Sequence, residues 1–443
     1  MSAAVTVIGA GLAGCEAAWQ VAENGFSVEL IEMKPLKYTP AHQFPDFAEL
    51  ICSNSLKAAR VESAAGLLKE EMRRLGSLLM SCADTCRVPA GGALAVDRHL
   101  FSAAVTKRIR EHPNITVRTE EVTSLPQNGL VIVATGPLTE GPLADEIFAL
   151  CGGKLSFFDA AAPIVTAESL NYDRCFAASR YDHGEDSAYL NCPMNKEEYE
   201  AFYEALIHAE RAPVHDFDVQ NPKVYEGCMP VEVMGQRGHD TLRYGPLKPV
   251  GLRDPRTGHR PWAVVQLRRE DRDGTLYNLV GFQTNLRFPE QKRVFGMIPG
   301  LEHAEFVRYG VMHRNTFLNS PGFLGADYAV IKRPTLFFAG QITGVEGYME
   351  SASSGLMAGK NAVCRLHGFD PVILSEKTMI GALSRHVAES VSRDFQPMGA
   401  NFGVLPPLTQ SIRDKQERYA ALAQRGLQAL EPTLQQLKEE GIR

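Results

Sequence analysis

Val5-Thr6-Val7-Ile8-Gly9-Ala10-Gly11-Leu12-Ala13-Gly14 opens the chain, and a second apolar run, Ser27 to Ile31, ends at Glu32, eighteen residues after Gly14. Each part has a mechanical use. Gly9 lets a strand turn sharply, Gly11 lets the backbone approach a pyrophosphate, and Gly14 lets the following helix pack close to the strand. The first N–H groups of that helix then face the phosphates, where the helix dipole favours negative charge. Glu32 stands where a carboxylate accepts hydrogen bonds from an adenosine ribose. Strand, glycine turn, helix, second strand and terminal acid in register read as a dinucleotide-binding unit. The competing reading is a glycine-rich turn with no ligand, in which Glu32 is only a solvated strand-end acid.

At 443 residues the chain has room for two or three domains and a sizeable core. No apolar run approaches membrane-spanning length. The N-terminus enters the first strand almost at once, so no secretory or organellar leader is expected. The nine cysteines (15, 52, 82, 86, 151, 175, 192, 228, 364) form no CxxC pair and no Cys/His cluster with zinc spacing, so no metal is expected. They read as mostly buried thiols of a reduced, cytoplasmic protein. The formal net charge of −6 carries no global sign of nucleic-acid binding.

After Glu32, the segment Met33 to Ser55 reads as a loop. Helical patterns follow at Ala64 to Leu79 and at Asp97 to Glu111, the second with Asp97 as N-cap. Ile115 to Val122 and Leu130 to Ala134 read as strands. The second ends in Thr135-Gly136-Pro137, a break of the kind that lies against a bound flavin. This alternation predicts a mostly parallel sheet with helices on both faces. Beyond Pro163 the texture changes. A helix is expected over Asn195 to Ala212, with Asn195 and Glu198 as a capping box. Short strands are expected around Val231, at Ala263 to Leu267 and at Leu276 to Gln283. Leu336 to Ala339 is again a buried parallel strand, followed by Gly340-Gln341-Ile342-Thr343-Gly344 and a small-residue helix from Ser351 to Leu366. That second glycine turn repeats the opening geometry and favours FAD over NAD. Ile412 to Glu440 reads as an amphipathic helical tail.

The expected fold class is therefore α/β. A Rossmann-like FAD-binding domain with a parallel sheet (1–165 and 316–443) is interrupted by an inserted α+β domain (166–315), and a helical tail closes the chain.

At Phe338 to Tyr348 the sequence reaches residues that identify a family. With the opening fingerprint, Leu50-Ile51-Cys52-Ser53-Asn54-Ser55-Leu56-Lys57, Arg87 to Gly92 and Glu226-Gly227-Cys228-Met229-Pro230, the chain closely resembles the folate- and FAD-dependent tRNA (uracil-5-)-methyltransferases. Tyr244 to Leu252, Val280 to Leu286, Met312 to Thr316 and Asn401-Phe402-Gly403 extend the resemblance nearly end to end. The glycine motifs are shared with many flavoproteins, whereas the Cys228 and Tyr244 to Leu252 stretches are specific. The resemblance implies methylation of uridine 54 in the tRNA T-loop. It implies 5,10-methylenetetrahydrofolate as one-carbon donor, reduced FAD as the source of electrons that convert methylene to methyl, and NADPH or NADH to re-reduce the flavin. The paralogous wobble-uridine modifying flavoprotein shares the fold, but it is longer and its extra helical region finds no room after residue 410. A flavin-bearing tRNA-binding factor without transfer chemistry, and a flavoprotein disulfide reductase, are the remaining alternatives.

The C5 carbon of uracil is a poor nucleophile. A thiolate adding to C6 makes an enolate whose C5 attacks an electrophilic carbon. Cys228, in a Gly-Cys-Met-Pro turn, is by resemblance that nucleophile; by composition alone it reads as a small buried residue. Cys52 is placed by resemblance at the flavin and folate, either as acid/base for the uracil C5 proton or as packing. The cofactor set is Gly9, Ala10, Gly11, Leu12, Ala13, Gly14, Glu32, Gly136, Gly340, Gln341, Gly347 and Tyr348. Tyr348 and His313 are candidates to stack on flavin or pterin, with a domain-junction histidine as the other reading of His313.

From Arg237 to Arg293 there are twelve Lys or Arg against six Asp or Glu, a local surplus of six that leaves −12 for the remainder. Such runs are often solvated faces only. With the resemblance, Arg253, Arg256, Arg260, Arg268 and Arg269 become candidate tRNA phosphate contacts. A base leaving its stack to meet thiol and flavin requires a deep cleft between insert and cofactor domain. No membrane and no obligate protein partner are expected.

Overall fold

The computed structural model describes residues 3–180, 189–212, 229–391 and 395–443, with backbone only at 154–159, 313 and 314. Its first sheet has six strands in the order Ala329–Val330, Arg333–Phe338, Leu130–Val133, Val5–Ile8, Val28–Glu32, Ile115–Thr119. All neighbours are parallel except the edge hairpin at 329–338. Leu130–Val133 is buried at every position, as expected for a strand covered on both faces.

Two helices cover the site end of this sheet, Leu12–Glu23 and Tyr348–His367. Glycine sets how closely they approach. A Cβ on Gly355 would lie 2.1 Å from Ala13 O, and one on Gly359 would lie 2.8 Å from Ala17 O. The small-residue face of the second helix thus rests on the backbone of the first, bringing Tyr348 to the fingerprint turn.

The single helix expected over Ala64 to Leu79 is two, Ala64–Arg74 and Leu78–Thr85. Gly76, at φ +79°, turns the chain between them. Ser77 caps the second, and the buried Glu16 carboxylate accepts from the Leu78 and Leu79 N–H groups. Asp97 caps Arg98–Glu111 as read from sequence.

A second six-stranded sheet is antiparallel throughout, in the order Phe176–Ala177, Tyr189–Met194, Ala263–Arg269, Leu276–Leu279, Ile164–Thr166, Phe306–Arg308. Lys196–Ile207 carries the complete Asn195/Glu198 capping box and ends short of Ala212. The strand expected around Val231 is instead a helix, Val231–Gln236. Pro230 starts it, and Glu232 leaves the helix face to accept from Thr284 Oγ1 and Asn285 N. The strand expected to run to Gln283 stops at Leu279, because Gly281 turns at φ +79° against Pro246. A two-stranded ribbon, Lys154–Ala160 with Met312–Leu318, joins the sheets. The positions expected as boundaries, 165 and 315, lie in Ile164–Thr166 of the second sheet and in Met312–Leu318 of the ribbon.

The tail forms Lys415–Glu439, capped by Asp414, and packs on Ala64–Arg74 with an Arg74–Glu431 ion pair at 2.8 Å. None of the described helices is long and apolar enough to cross a membrane.

Candidate functional site

A cleft of about 470 Å³ runs along the C-terminal ends of the parallel strands, and the fingerprint turn forms one wall. Gly9 stands at φ +98°, and a Cβ there would sit 2.6 Å from Ala134 O. A Cβ on Gly14 would meet Gly9 O at 1.8 Å, so helix and strand touch through backbone. Gly11 differs from both, because a Cβ there would meet nothing within 4 Å and would project into open space. No side chain caps the helix that begins at Leu12, which leaves its first N–H groups, including that of Ala13, for an anion.

Glu32 is buried at 7% exposure; its Oε2 accepts from Ala10 N at 2.7 Å and its Oε1 from Lys34 N at 2.9 Å. Each carboxylate oxygen has a further lone pair for a ribose hydroxyl.

The opposite wall comes from the second glycine turn. Gly340, at φ +90°, donates its N–H to Ser354 Oγ, and Gln341 Nε2 donates to Glu346. Gly347, at φ +122°, leads into Tyr348–His367, again without a side-chain cap. Gly136, at φ +81°, completes the rim where the 130–133 strand ends. These features fit an elongated dinucleotide: an open backbone turn for a pyrophosphate, a carboxylate at one end, and a second helix N-terminus at the other.

Cys52 lines the far end, part-buried, with Sγ 3.7 Å from Ala160 O. Tyr348 is bound to it through backbone: its Oη accepts from Cys52 N at 2.6 Å and from Ser53 N at 3.1 Å. Burial, followed by the charge of Cys52, raises the Tyr348 pKa, so the phenol stays protonated. The Tyr348 hydroxyl therefore fixes the Cys52 loop, and its ring remains for stacking.

Several of the expected substrate residues lie elsewhere or turn inward. Cys228 lies outside the described residues. His313 pairs through its backbone with Asp159 in the ribbon. Arg253 and Arg260 are exposed. Arg256 is also exposed but forms an ion pair with Asp254 at 2.7 Å. Arg269 is part-buried. Arg268, expected to face phosphate, is only 6% exposed and points at the Cys52 loop, donating to Asn54 Oδ1 and Ser53 Oγ. Its neighbourhood corrects the expectation: a guanidinium whose Nε and one terminal nitrogen are bonded inside the protein is not offered to a phosphate. Beside it the buried pair Arg98–Glu270, at 2.8 Å, ties the same seam.

The cleft holds residues that the sequence did not single out by role. Lys57 pairs with the buried Glu350 at 2.6 Å. Gln283 and Asn315 bring the second sheet and the ribbon to the wall. Near the cleft, burial first, then the charge of Arg98, lowers the Arg308 pKa. The polar run Ser53-Asn54-Ser55 after an apolar segment was the available signal for the loop; nothing local marked Arg308.

A family model described as Glucose inhibited division protein A matches residues 4–370. The methylenetetrahydrofolate–tRNA-(uracil-5-)-methyltransferase TrmFO of Desulfitobacterium hafniense is 62% identical over 429 residues, covering 97% of this chain and 98% of that protein. The protein of the same name from Acetivibrio thermocellus is 59% identical over 427 residues, covering 96% of this chain and 97% of that one.

The chain belongs to this methyltransferase family.

The crystal structure of Aquifex aeolicus GidA in its form II crystal matches with a TM-score of 0.69 at 16% identity, covering 99% of this chain and 76% of the other. It shows the fold, the FAD-binding Rossmann-like α/β architecture expected from sequence. In this chain the Gly9–Gly14 turn and Glu32 stand toward one end of the cleft, and the Gly340 turn, Tyr348 and Cys52 toward the other.

Proposed function

We propose that this chain transfers the one-carbon unit of 5,10-methylenetetrahydrofolate to C5 of uridine 54 in the tRNA T-loop, giving 5-methyluridine, in the cytoplasm. The observation that carries the reading is 62% identity over nearly the full length to a methyltransferase named for that reaction. The cleft supports it. The Gly9–Gly14 turn would hold the pyrophosphate of FAD, Glu32 its ribose, and the Gly340 turn with the N-terminal end of Tyr348–His367 its flavin. Bound FAD, reduced by NADPH or NADH, would supply the electrons that take the transferred carbon from methylene to methyl.

The chain's own chemistry lies in its thiols. Cys228, as thiolate, forms a bond to uracil C6, which places the electron pair on C5 for attack on the folate methylene. Loss of the C5 proton then expels tetrahydrofolate from the transferred carbon, and reduction of the resulting exocyclic methylene to methyl would let the sulfur leave C6. Cys52, its backbone held by Tyr348, is the group at the cleft that takes this proton or packs beside the reacting rings. The exposed Arg253 and Arg260, with Arg256 beside them, are the proposed phosphate contacts that hold the tRNA.

The test is direct. Purified protein is incubated with NADPH, methylene-labelled folate and unmodified tRNA, and the RNA is digested. Label in 5-methyluridine is expected. Absence of label, with flavin bound and tRNA intact, refutes the reading.

A further inference from the structure

Ser53 lies between Cys52 and Asn54, and it lines the cleft. A serine hydroxyl has two acceptor lone pairs and one proton to donate. Both lone pairs of Ser53 Oγ are filled. Arg268 Nη2 donates to it across 2.8 Å, and the Ser55 backbone N–H donates across 3.1 Å. Arg268 cannot reverse its role, because a guanidinium only donates. Nor is it free to swing away, since its Nε donates to Asn54 Oδ1 at 2.9 Å. The Asn54 amide is itself fixed, with Nδ2 donating to the carbonyls of Val96 at 3.0 Å and Arg269 at 2.9 Å. Asn54 is fully buried, so this lock is shielded from water. The contact spans 215 residues of chain, from the second sheet to the loop of Cys52.

A hydroxyl so engaged has its proton left to offer, and among the described residues none accepts it. We propose that Ser53 is a fixed-polarity donor of the site, hydrogen-bonding a carbonyl oxygen or ring nitrogen of the planar heterocycle beside Cys52, and that Arg268 is the residue that positions it. The proposal rests on the function above for the identity of that heterocycle, since flavin, pterin and uracil all present such acceptors. It also explains the inward turn of Arg268. An unconstrained serine would accept an amino group as readily as it donates to a carbonyl, whereas this one discriminates between them.

The experiment compares Ser53→Ala, Ser53→Thr, Arg268→Gln and the double variant Ser53→Ala/Arg268→Gln, all as flavin-bound protein. The readouts are the visible absorption band of the flavin, the KM for folate and the KM for tRNA. Loss of one neutral hydrogen bond predicts a three- to tenfold rise, roughly, in one KM, or a displaced flavin band. The readout that moves names the heterocycle. Ser53→Thr keeps the hydroxyl and restores the wild-type value. Arg268→Gln moves the same readout as Ser53→Ala, and the double variant adds less than about twofold, because the two residues act as one unit. If Ser53→Ala leaves the band and both KM values unchanged, or if the two substitutions multiply, the donor role is refuted. Arg268→Gln that lowers the melting temperature without moving the Ser53 readout marks Arg268 as structural only and overturns its positioning role. The flavin band needs no turnover. Wild-type protein with bound flavin but no 5-methyluridine therefore refutes the functional reading, while the band still decides for or against the donor.

Discussion

Substituting Gly11 and Gly14 separately tests whether the opening turn is shaped for the fold or for a ligand. At Gly14 the added Cβ would stand 1.8 Å from Gly9 O, while ordinary contact begins at 3.4 Å, so helix and strand must part by roughly 1.6 Å. Overpacking of that kind costs about 1–3 kcal/mol. At Gly11 the added Cβ meets nothing within 4 Å, and φ −72° with ψ −170° is a conformation alanine adopts freely. Gly11→Ala should therefore leave flavin-free protein as stable as wild type, or about 0.4–1 kcal/mol more stable through the unfolded chain. The methyl nonetheless fills the space through which a pyrophosphate reaches the helix N-terminus. Losing one or two hydrogen bonds to a charged group, at about 1.5–3 kcal/mol each, weakens FAD binding by roughly tenfold to a hundredfold or more. Denaturant unfolding of flavin-free protein and a fluorescence titration with FAD read the two effects independently. Wild-type FAD affinity in Gly11→Ala, or unfolding of Gly11→Ala as easily as Gly14→Ala, would refute the reasoning.

Three further outcomes are expected. Cys228→Ala should abolish formation of 5-methyluridine while flavin remains bound; retained activity removes it as nucleophile. Charge reversal at Arg253 and Arg260 should raise the KM for tRNA more than the KM for folate and flatten the salt dependence by about one unit per lost phosphate contact, and equal effects on both substrates would count against that docking face. Lys69 is fully buried, donates to Leu56 O at 2.7 Å, and is pulled by burial from 10.5 to about 7. Between those values the unfolded chain holds a proton that the folded chain lacks. Its stability contribution is thus full above 10.5 and lost as pH falls toward about 7. The denaturant midpoint of Lys69→Met should rise relative to wild type as pH is lowered across that window and then hold level; a constant difference would show that Lys69 does not titrate there.

The reading of the first 32 residues carried over into the structure because every contact involved is local. The turn, the helix and the second strand are fixed by glycine spacing and apolar runs within one βαβ unit. The Asp97 and Asn195 caps were legible for the same reason, since cap and partner lie within three residues. Val231 was misread as a strand because a short apolar run does not distinguish strand from helix without its neighbours, and Pro230 with Glu232 decided for helix. The helix at Ala64 was drawn too long because periodicity ran through Gly76, whose left-handed turn the distant Glu16 stabilises. The arginines show the limit most clearly. The local positive surplus and the family resemblance marked all five as candidate phosphate contacts, yet burial separates Arg268 from Arg253, and burial is written in neither.

By itself, then, the sequence determined the cofactor-type fold, the order of its parts and the family, because these rest on short-range spacing and on motifs read as strings. Only the tertiary structure decided how the far end of the cleft is built. Cys52 is held by Tyr348 across 296 residues and by the Arg268 clasp across 215. Those contacts depend on two sheets meeting through a ribbon and two helices meeting through Gly355 and Gly359. Hydrogen bonds of that span carry no local periodicity, and the direction in which a serine offers its proton appears only when its partners are in place.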